Sequence, residues 1–245
     1  MSDVFVLGDS DTAGRIDMLT EKASEKGAVI AQTFSFDPGE AASRDDLTDV
    51  GAVVEALGRA IATRTSIWIP FPLQDLCREA HFRRLCLALQ RHGLDLLMGP
   101  ELAACPREGG YSEIDSALRA EVRAVDELDY AALAAAGTRS LGAEIEVALL
   151  EAAQHGVEAP ERHFSSVEAA ALFGRSVSWV SRGLREGLFA YPDGSVVTPG
   201  RAGRGNRLQF TVPMLRAMAW SSYRRGALTS HELEGVLAEL SRGQR

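Results

Sequence analysis

Phe164-Ser165-Ser166-Val167-Glu168-Ala169-Ala170-Ala171-Leu172-Phe173-Gly174-Arg175-Ser176-Val177-Ser178-Trp179-Val180-Ser181-Arg182-Gly183-Leu184-Arg185 is the stretch on which the fold turns. Ser165 or Ser166 offers a hydroxyl that caps a short helix. The alanines that follow keep its face small for close packing, and Gly174 allows a tight turn. Val177, Val180 and Leu184 recur at the spacing of one helical face and are expected to point inward. The other face then carries Ser176, Ser178, Trp179, Ser181, Arg182 and Arg185, with Ser165 and Arg175 at the starts of the two helices. Two short helices joined by a glycine turn predict a helix-turn-helix. Hydroxyl and guanidinium groups on its free face suit a major groove, where they meet base edges and phosphates. Trp179 reads equally as a core aromatic, and Trp220 as a core residue.

Outward from this stretch, residues 195–198 and 207–211 are short β-rich runs. Between them lies Pro199-Gly200-Arg201-Ala202-Gly203-Arg204-Gly205-Asn206, followed directly by Arg207. Glycine lets a backbone approach a phosphate or enter a minor groove, and arginine supplies the charge. The expectation is a hairpin wing over 199–207, with Arg201, Arg204, Asn206 and Arg207 facing DNA. A helical bundle with a hairpin that binds protein is the alternative.

The segment resembles the MerR-type winged helix-turn-helix. Phe164-Ser165-Ser166-Val167-Glu168-Ala169-Ala170 matches the family's opening. Val177-Ser178-Trp179-Val180-Ser181-Arg182 matches its recognition helix. Gly205-Asn206-Arg207-Leu208-Gln209-Phe210 matches the end of the wing. A helix over 212–222 and the run Arg224-Arg225-Gly226-Ala227-Leu228-Thr229-Ser230-His231-Glu232-Leu233 match the trailing helices. The resemblance implies binding to double-stranded DNA. The family usually places this module first, ahead of a dimerisation helix and an effector domain. Here it comes last, so metal or drug sensing by that arrangement is not implied, and the wing is long.

Charge points the same way. The formal net charge is −8, yet residues 162–245 hold twelve arginines against six carboxylates, and residues 1–161 carry a net −14. A basic module on an acidic body is what a localised phosphate-binding face requires.

The acidic part alternates strand and helix signals: an apolar run Val4-Phe5-Val6-Leu7 ending at Gly8-Asp9-Ser10, a helix over 13–26 capped by Asp11 or Thr12, and a strand over 28–34. A turn at Asp37-Pro38-Gly39 precedes a helix over 47–63, a strand over 66–71, a helix over 78–92 and a strand over 94–98. This order predicts an α/β domain of about four parallel strands with helices on both faces, over 1–110. Residues 111–160 read as a helical connector and dimerisation surface, with a boundary at 156–162. Residues 161–245 form the C-terminal winged helix-turn-helix.

The α/β order also resembles, more weakly, the catalytic domain of serine recombinases. Ser10 sits where that family's serine ends the first strand, and Arg78 matches the last arginine of its second signature. That chemistry needs several arginines around a phosphorane. Gly8 and Asp75 stand where two of them belong. The resemblance therefore implies a recombinase-like fold without strand transfer, used for self-association or partner binding. A small-molecule pocket at the strand ends, around Gly8, Asp9, Ser10 and Asp11, is a further alternative.

Composition narrows the rest. Hydrophobic residues are 46% and charged residues 24%, an ordinary globular balance. No apolar run approaches the ~20 residues of a membrane span. The first residues lack a secretory pattern. A cytoplasmic, nucleoid-associated protein is expected. Cys77, Cys86 and Cys105 form no CxxC pair and the histidines no HxxxH pair, so neither a metal nor a cofactor is expected and the thiols read as buried. The functional reading is a sequence-specific DNA-binding protein, a transcriptional regulator or phage-type repressor and a homo-oligomer, not an enzyme. Its DNA is read by the 176–185 helix and the 199–207 wing. The alternatives are a site-specific recombinase with Ser10 as nucleophile and a DNA-coating or partitioning protein.

Overall fold

The computed structural model describes residues 2–105, 116–155, 162–202 and 207–242. The chain divides into two units, Met1–Ser140 and Leu141–Arg245. Residues 111–160 are therefore shared between the units. The helix Ser116–Ala135 belongs to the first, and Leu141–His155 to the second.

In the first unit, β1 (Ser2–Asp9) is buried from Val4 onward. It is followed by α1 (Ser10–Ala13), α2 (Ile16–Glu25) and β2 (Ala28–Phe36). Then come α3 (Glu40–Ser43), α4 (Gly51–Thr63), β3 (Ser66–Ile69), α5 (Pro72–Asp75), α6 (Glu79–Arg91), β4 (Leu96–Met98), β5 (Ala103–Ala104) and α7 (Ser116–Ala135). The strands form one sheet in the order β2-β1-β3-β4-β5. The first four are parallel, as expected, but β5 pairs antiparallel with β4 and makes the sheet mixed. Two alanines carry no strand signal, and β5 exists only because Leu97 and Met98 offer it a ladder.

Alternation along β1 sends side chains to two cores. Val4 and Val6 join Trp68, and Leu19 and Ala23 of α2. Phe5 and Leu7 join Phe34, Ile67 and Ile69 beneath α4, α6 and α7. Helices thus cover both faces. The helix expected over 13–26 forms as α2 over Ile16–Glu25, and a separate helical turn, α1, precedes it. Asp9, rather than Asp11 or Thr12, caps α1 by accepting the Thr12 N–H at 2.8 Å. Of the cysteines, Cys77 is exposed and Cys86 and Cys105 are half-buried, so full burial of the thiols is corrected.

Between α6 and α7 lies a buried ionic cluster. Arg91 donates to Asp126 at 2.7 Å and stands 3.6 Å from Asp129, and His92 Nε2 meets Asp129 at 2.7 Å. Ion pairs at such depth are costly to assemble and more costly to break.

The second unit contains α8 (Leu141–His155), β6 (Phe164–Ser165), α9 (Ser166–Leu172), α10 (Val177–Arg185), β7 (Gly200–Ala202), β8 (Arg207–Phe210), α11 (Val212–Arg224) and α12 (Ser230–Arg242). It is mainly helical, with a small antiparallel sheet ordered β6-β8-β7. Its core gathers Phe164, Phe173, Val180, Phe189, Phe210, Met218, Trp220 and Leu233, and α8 adds Ile145 and Leu149. Trp220 is the buried core aromatic expected of it. The expected domain boundary at 156–162 lies outside the described residues, apart from Arg162.

Candidate nucleic-acid interface

Ser165 begins α9 with a capping box. Its Oγ accepts the Glu168 N–H at 3.3 Å, while the Ser165 N–H donates to Glu168 Oε2 at 2.7 Å. These bonds hold the Glu168 carboxyl below its ordinary value. Two orphan donors are thereby satisfied, and Ser165 is committed to the helix start.

Gly174 then takes φ +60 and turns the chain. The Gly174 and Arg175 N–H groups close back on the carbonyls of Ala171 and Ala170 at 3.0 and 2.9 Å. This is the left-handed exit that glycine makes cheaply. Ser176 caps the next helix, its Oγ accepting the Trp179 N–H at 3.2 Å and lying 2.7 Å from Ser178 Oγ.

α10 buries Val180 and Gly183. A Cβ on Gly183 would stand 2.4 Å from the Phe189 ring, so the helix rests directly on that ring. Trp179 is half-buried with its ring centre 5.5 Å from Phe173 and 5.1 Å from Phe189, an edge-of-core position. Val177 was expected inward but is 40% exposed, and the buried face of α10 is carried by Val180 and Gly183.

Seven residues singled out from the sequence line one open depression of about 460 Å³: Arg175, Ser176, Ser178, Trp179, Ser181, Arg182 and Arg185. Their engagements differ. Arg175 Nη2 donates to the Ala227 carbonyl at 3.0 Å and to Glu232 at 3.1 Å, tying the turn to the start of α12. Glu232 also accepts from Thr229, and its carboxyl stays below its ordinary value although burial pushes it up. Arg185 lies 3.7 Å from its neighbour Glu186, on the surface. The Arg182 side chain is exposed and makes no hydrogen bond or ion pair among the described residues.

The hairpin pairs differently from the expectation. Its first strand is β7, with Gly200 opposite Gln209 and Ala202 opposite Arg207. Val196 contributes only an isolated bridge to Ala190. Arg201 and Arg207 are exposed on adjacent strands. Arg204 and Asn206 lie outside the described residues.

Arg225 stands out in the sequence only as part of a pattern. Half-buried, it donates Nε to the Ser221 carbonyl at 3.1 Å and approaches the Phe189 ring to 6.0 Å. Burial pushes its pKa down to about 10, which leaves it a cation at neutral pH. Arg162 stacks on Phe164 at 4.5 Å, beside the capping box. No periodicity marks either contact, because both are set by tertiary packing.

At the strand ends of the first unit, the protein fills its own crevice. Gln74 donates to both Asp9 oxygens at 3.1 and 3.0 Å. Asp75 accepts from the Asp9 N–H at 3.0 Å, the Thr12 hydroxyl at 2.7 Å and the Phe71 N–H at 3.3 Å. Burial raises the Asp75 carboxyl, and the neighbouring Asp9 adds to the rise. Burial pushes Asp9 up too, but hydrogen bonds from Gln74 and Thr12 outweigh it and hold Asp9 low. A Cβ on Gly8 would meet Thr12 at 2.7 Å and Asp75 at 2.8 Å, so only glycine fits. Ser10 is exposed beside this pair of carboxylates, and Arg78 is ion-paired with Asp45. Among the described residues, no three His, Cys, Asp or Glu side chains are grouped to hold a metal. No helix among them is long and apolar enough to cross a membrane.

Residues 152–243 match a family model described as a Domain of unknown function (DUF7229). None of the curated proteins and no solved structure matches the chain. The matched residues run from the last turns of α8 through α12, within the second unit.

Proposed function

We propose that the second unit is a winged helix-turn-helix that binds double-stranded DNA, in a regulator of transcription or a phage-type repressor. α9 and α10 are the helix pair, α10 lies in the major groove, and the β7–β8 hairpin is the wing. The observation that carries this reading is the gathering of the seven residues from Arg175 to Arg185 on one exposed surface, backed by a helix face that is buried. The exposed Arg201 and Arg207 extend positive charge onto the hairpin. The acidic first unit supplies assembly or partner contact.

The same reading assigns no strand transfer to Ser10. Its neighbours Asp9 and Asp75 would repel a phosphodiester, and Arg78 is already engaged by Asp45. The absence of a covalent adduct on bound DNA is the expected result. An adduct abolished in Ser10→Ala would replace regulator by recombinase.

Fluorescence anisotropy of the full chain on labelled genomic duplexes, as a function of salt, tests the proposal. Affinity is expected to fall steeply with salt, by the counterions released from neutralised phosphates. Changing Arg182, Arg185 and Arg207 together to alanine is expected to reduce affinity by at least about a hundredfold, because each of the three guanidinium groups would meet a phosphate or a base. Salt-independent binding, or full affinity in the triple variant, refutes it.

A further inference from the structure

The cations on and around α10 are unequally available, and this inequality divides their tasks once the helix is placed in a groove, a placement that rests on the reading above. Arg175 is anchored on the Ala227 carbonyl and Glu232, so its fork is occupied in holding α12. Arg185 sits in the last turn beside Glu186 and is partly neutralised. Arg201 and Arg207 belong to the hairpin strands β7 and β8.

Arg182 differs from all of these. Ser178, Arg182 and Arg185 follow one another at i, i+4 and i+7, one line along the exposed face. Arg182 is the middle member of that line and is uncommitted among the described residues. The Ser178 and Ser176 hydroxyls bond each other, so the turn before Arg182 presents short side chains that let the backbone come close to a groove floor. A planar guanidinium in the last turn of the helix, unpaired among the described residues, matches the O6 and N7 acceptors of guanine, the pair that a two-pronged donor reads.

We infer that Arg182 is the specificity-determining residue of the interface and reads one guanine through O6 and N7, whereas Arg185, Arg201 and Arg207 contact phosphates. A lysine keeps the charge and can still donate to both acceptors, though without the planar fork, whereas alanine removes both, so R182A set against R185A separates base reading from simple attraction.

The test is selection of bound duplexes from a randomised library by the full-length chain and by R182K, R182A and R185A. The wild-type motif is expected to contain a fixed guanine that weakens in R182K and becomes degenerate in R182A while the other positions persist. Replacing that guanine with 7-deazaguanine should weaken wild-type binding about tenfold, for one missing acceptor of a bidentate pair, and leave R182A unchanged. R185A should weaken binding to all sequences alike and lower the salt slope by about one. Guanine preference retained in R182A, or an even loss across sequences in R182A, overturns the inference and leaves the DNA-binding proposal standing. Wild-type chain that binds no duplex overturns both. Circular dichroism of each variant establishes that a lost preference is not a lost fold.

Discussion

Gly183 is where the interface helix and the core come closest. A methyl group there would sit 2.4 Å from the Phe189 ring, and that ring is itself buried. Overpacking of this kind costs about 1–3 kcal/mol. Gly183→Ala is therefore expected to lower the thermal midpoint of the second unit, and an unchanged midpoint in calorimetry would mean the ring has room to move. His81 makes a different prediction. It is 1% exposed, and neither ring nitrogen makes a hydrogen bond among the described residues. Burial, then the charges of Arg84 and Arg78, hold its pKa below the ordinary value, and the nearby Leu76 and Asp45 backbones oppose the shift only in part. A depressed pKa means the folded state binds the proton less readily than the unfolded state. The stability this contributes is present above the ordinary histidine pKa, about 6.5, and is lost as pH falls through the folded value. In His81→Leu that acid loss should flatten, as read by urea titrations between pH 7 and pH 5. Equal pH slopes in the two proteins would remove His81 as the cause. Neither feature was legible in the residues. Gly183 has ordinary helical neighbours, and His81 shows no spacing that announces burial. The Gly174 turn and the Ser176 cap were legible, because both act on backbone groups within three residues.

At the scale of elements, what the sequence disclosed followed from local periodicity. β1 reads as a buried strand because Val4 to Leu7 is an unbroken apolar run with cores on both faces. α10 reads as a two-faced helix because its buried and free residues alternate every three or four positions. The elements that escaped are those fixed by partners far away in the chain. β5 is two alanines laid on β4. α3 follows Gly39, whose φ of +77 turns the chain at the expected Asp37–Gly39 bend. The hairpin begins at Gly200 rather than at Ser195 because Gln209, paired from the other side by Ser165 of β6, sets the register. That register makes a prediction of its own. If the hairpin tracks a backbone, R201A with R207A should weaken binding to specific and random duplexes by a similar factor and lower the salt slope by about two. A selective loss on the specific site alone would instead place one of these arginines on a base.

At the scale of the whole chain, the two units have separate cores, and the positive charge lies in residues 162–245 of the second. The first unit holds the Arg91–Asp126–Asp129 cluster, and the second holds the Phe189 and Trp220 core. Calorimetry is expected to record separate transitions. Asp129→Ala, which leaves a buried guanidinium short of one partner, should cost about 3–5 kcal/mol and move one transition. Gly183→Ala should move the other. A single transition displaced by both variants would show that the cores melt together. The buried cluster lay beyond sequence reading. Arg91, His92, Asp126 and Asp129 have the composition of a solvated surface, and only the packing of α6 on α7 brings them together. The charge split, by contrast, was visible at once, since it needs only counting along the chain.

The three-ring contact of Phe173, Trp179 and Phe189 has an optical consequence. The chain has three tryptophans, and Trp68 and Trp220 are sealed in the two cores. Trp179 alone is within reach of a collisional quencher such as acrylamide, and it lines the depression on α10. The accessible part of the protein's own ultraviolet emission is thus a built-in label on the proposed interface. Its shielding from quencher by added duplex would follow occupancy without any dye.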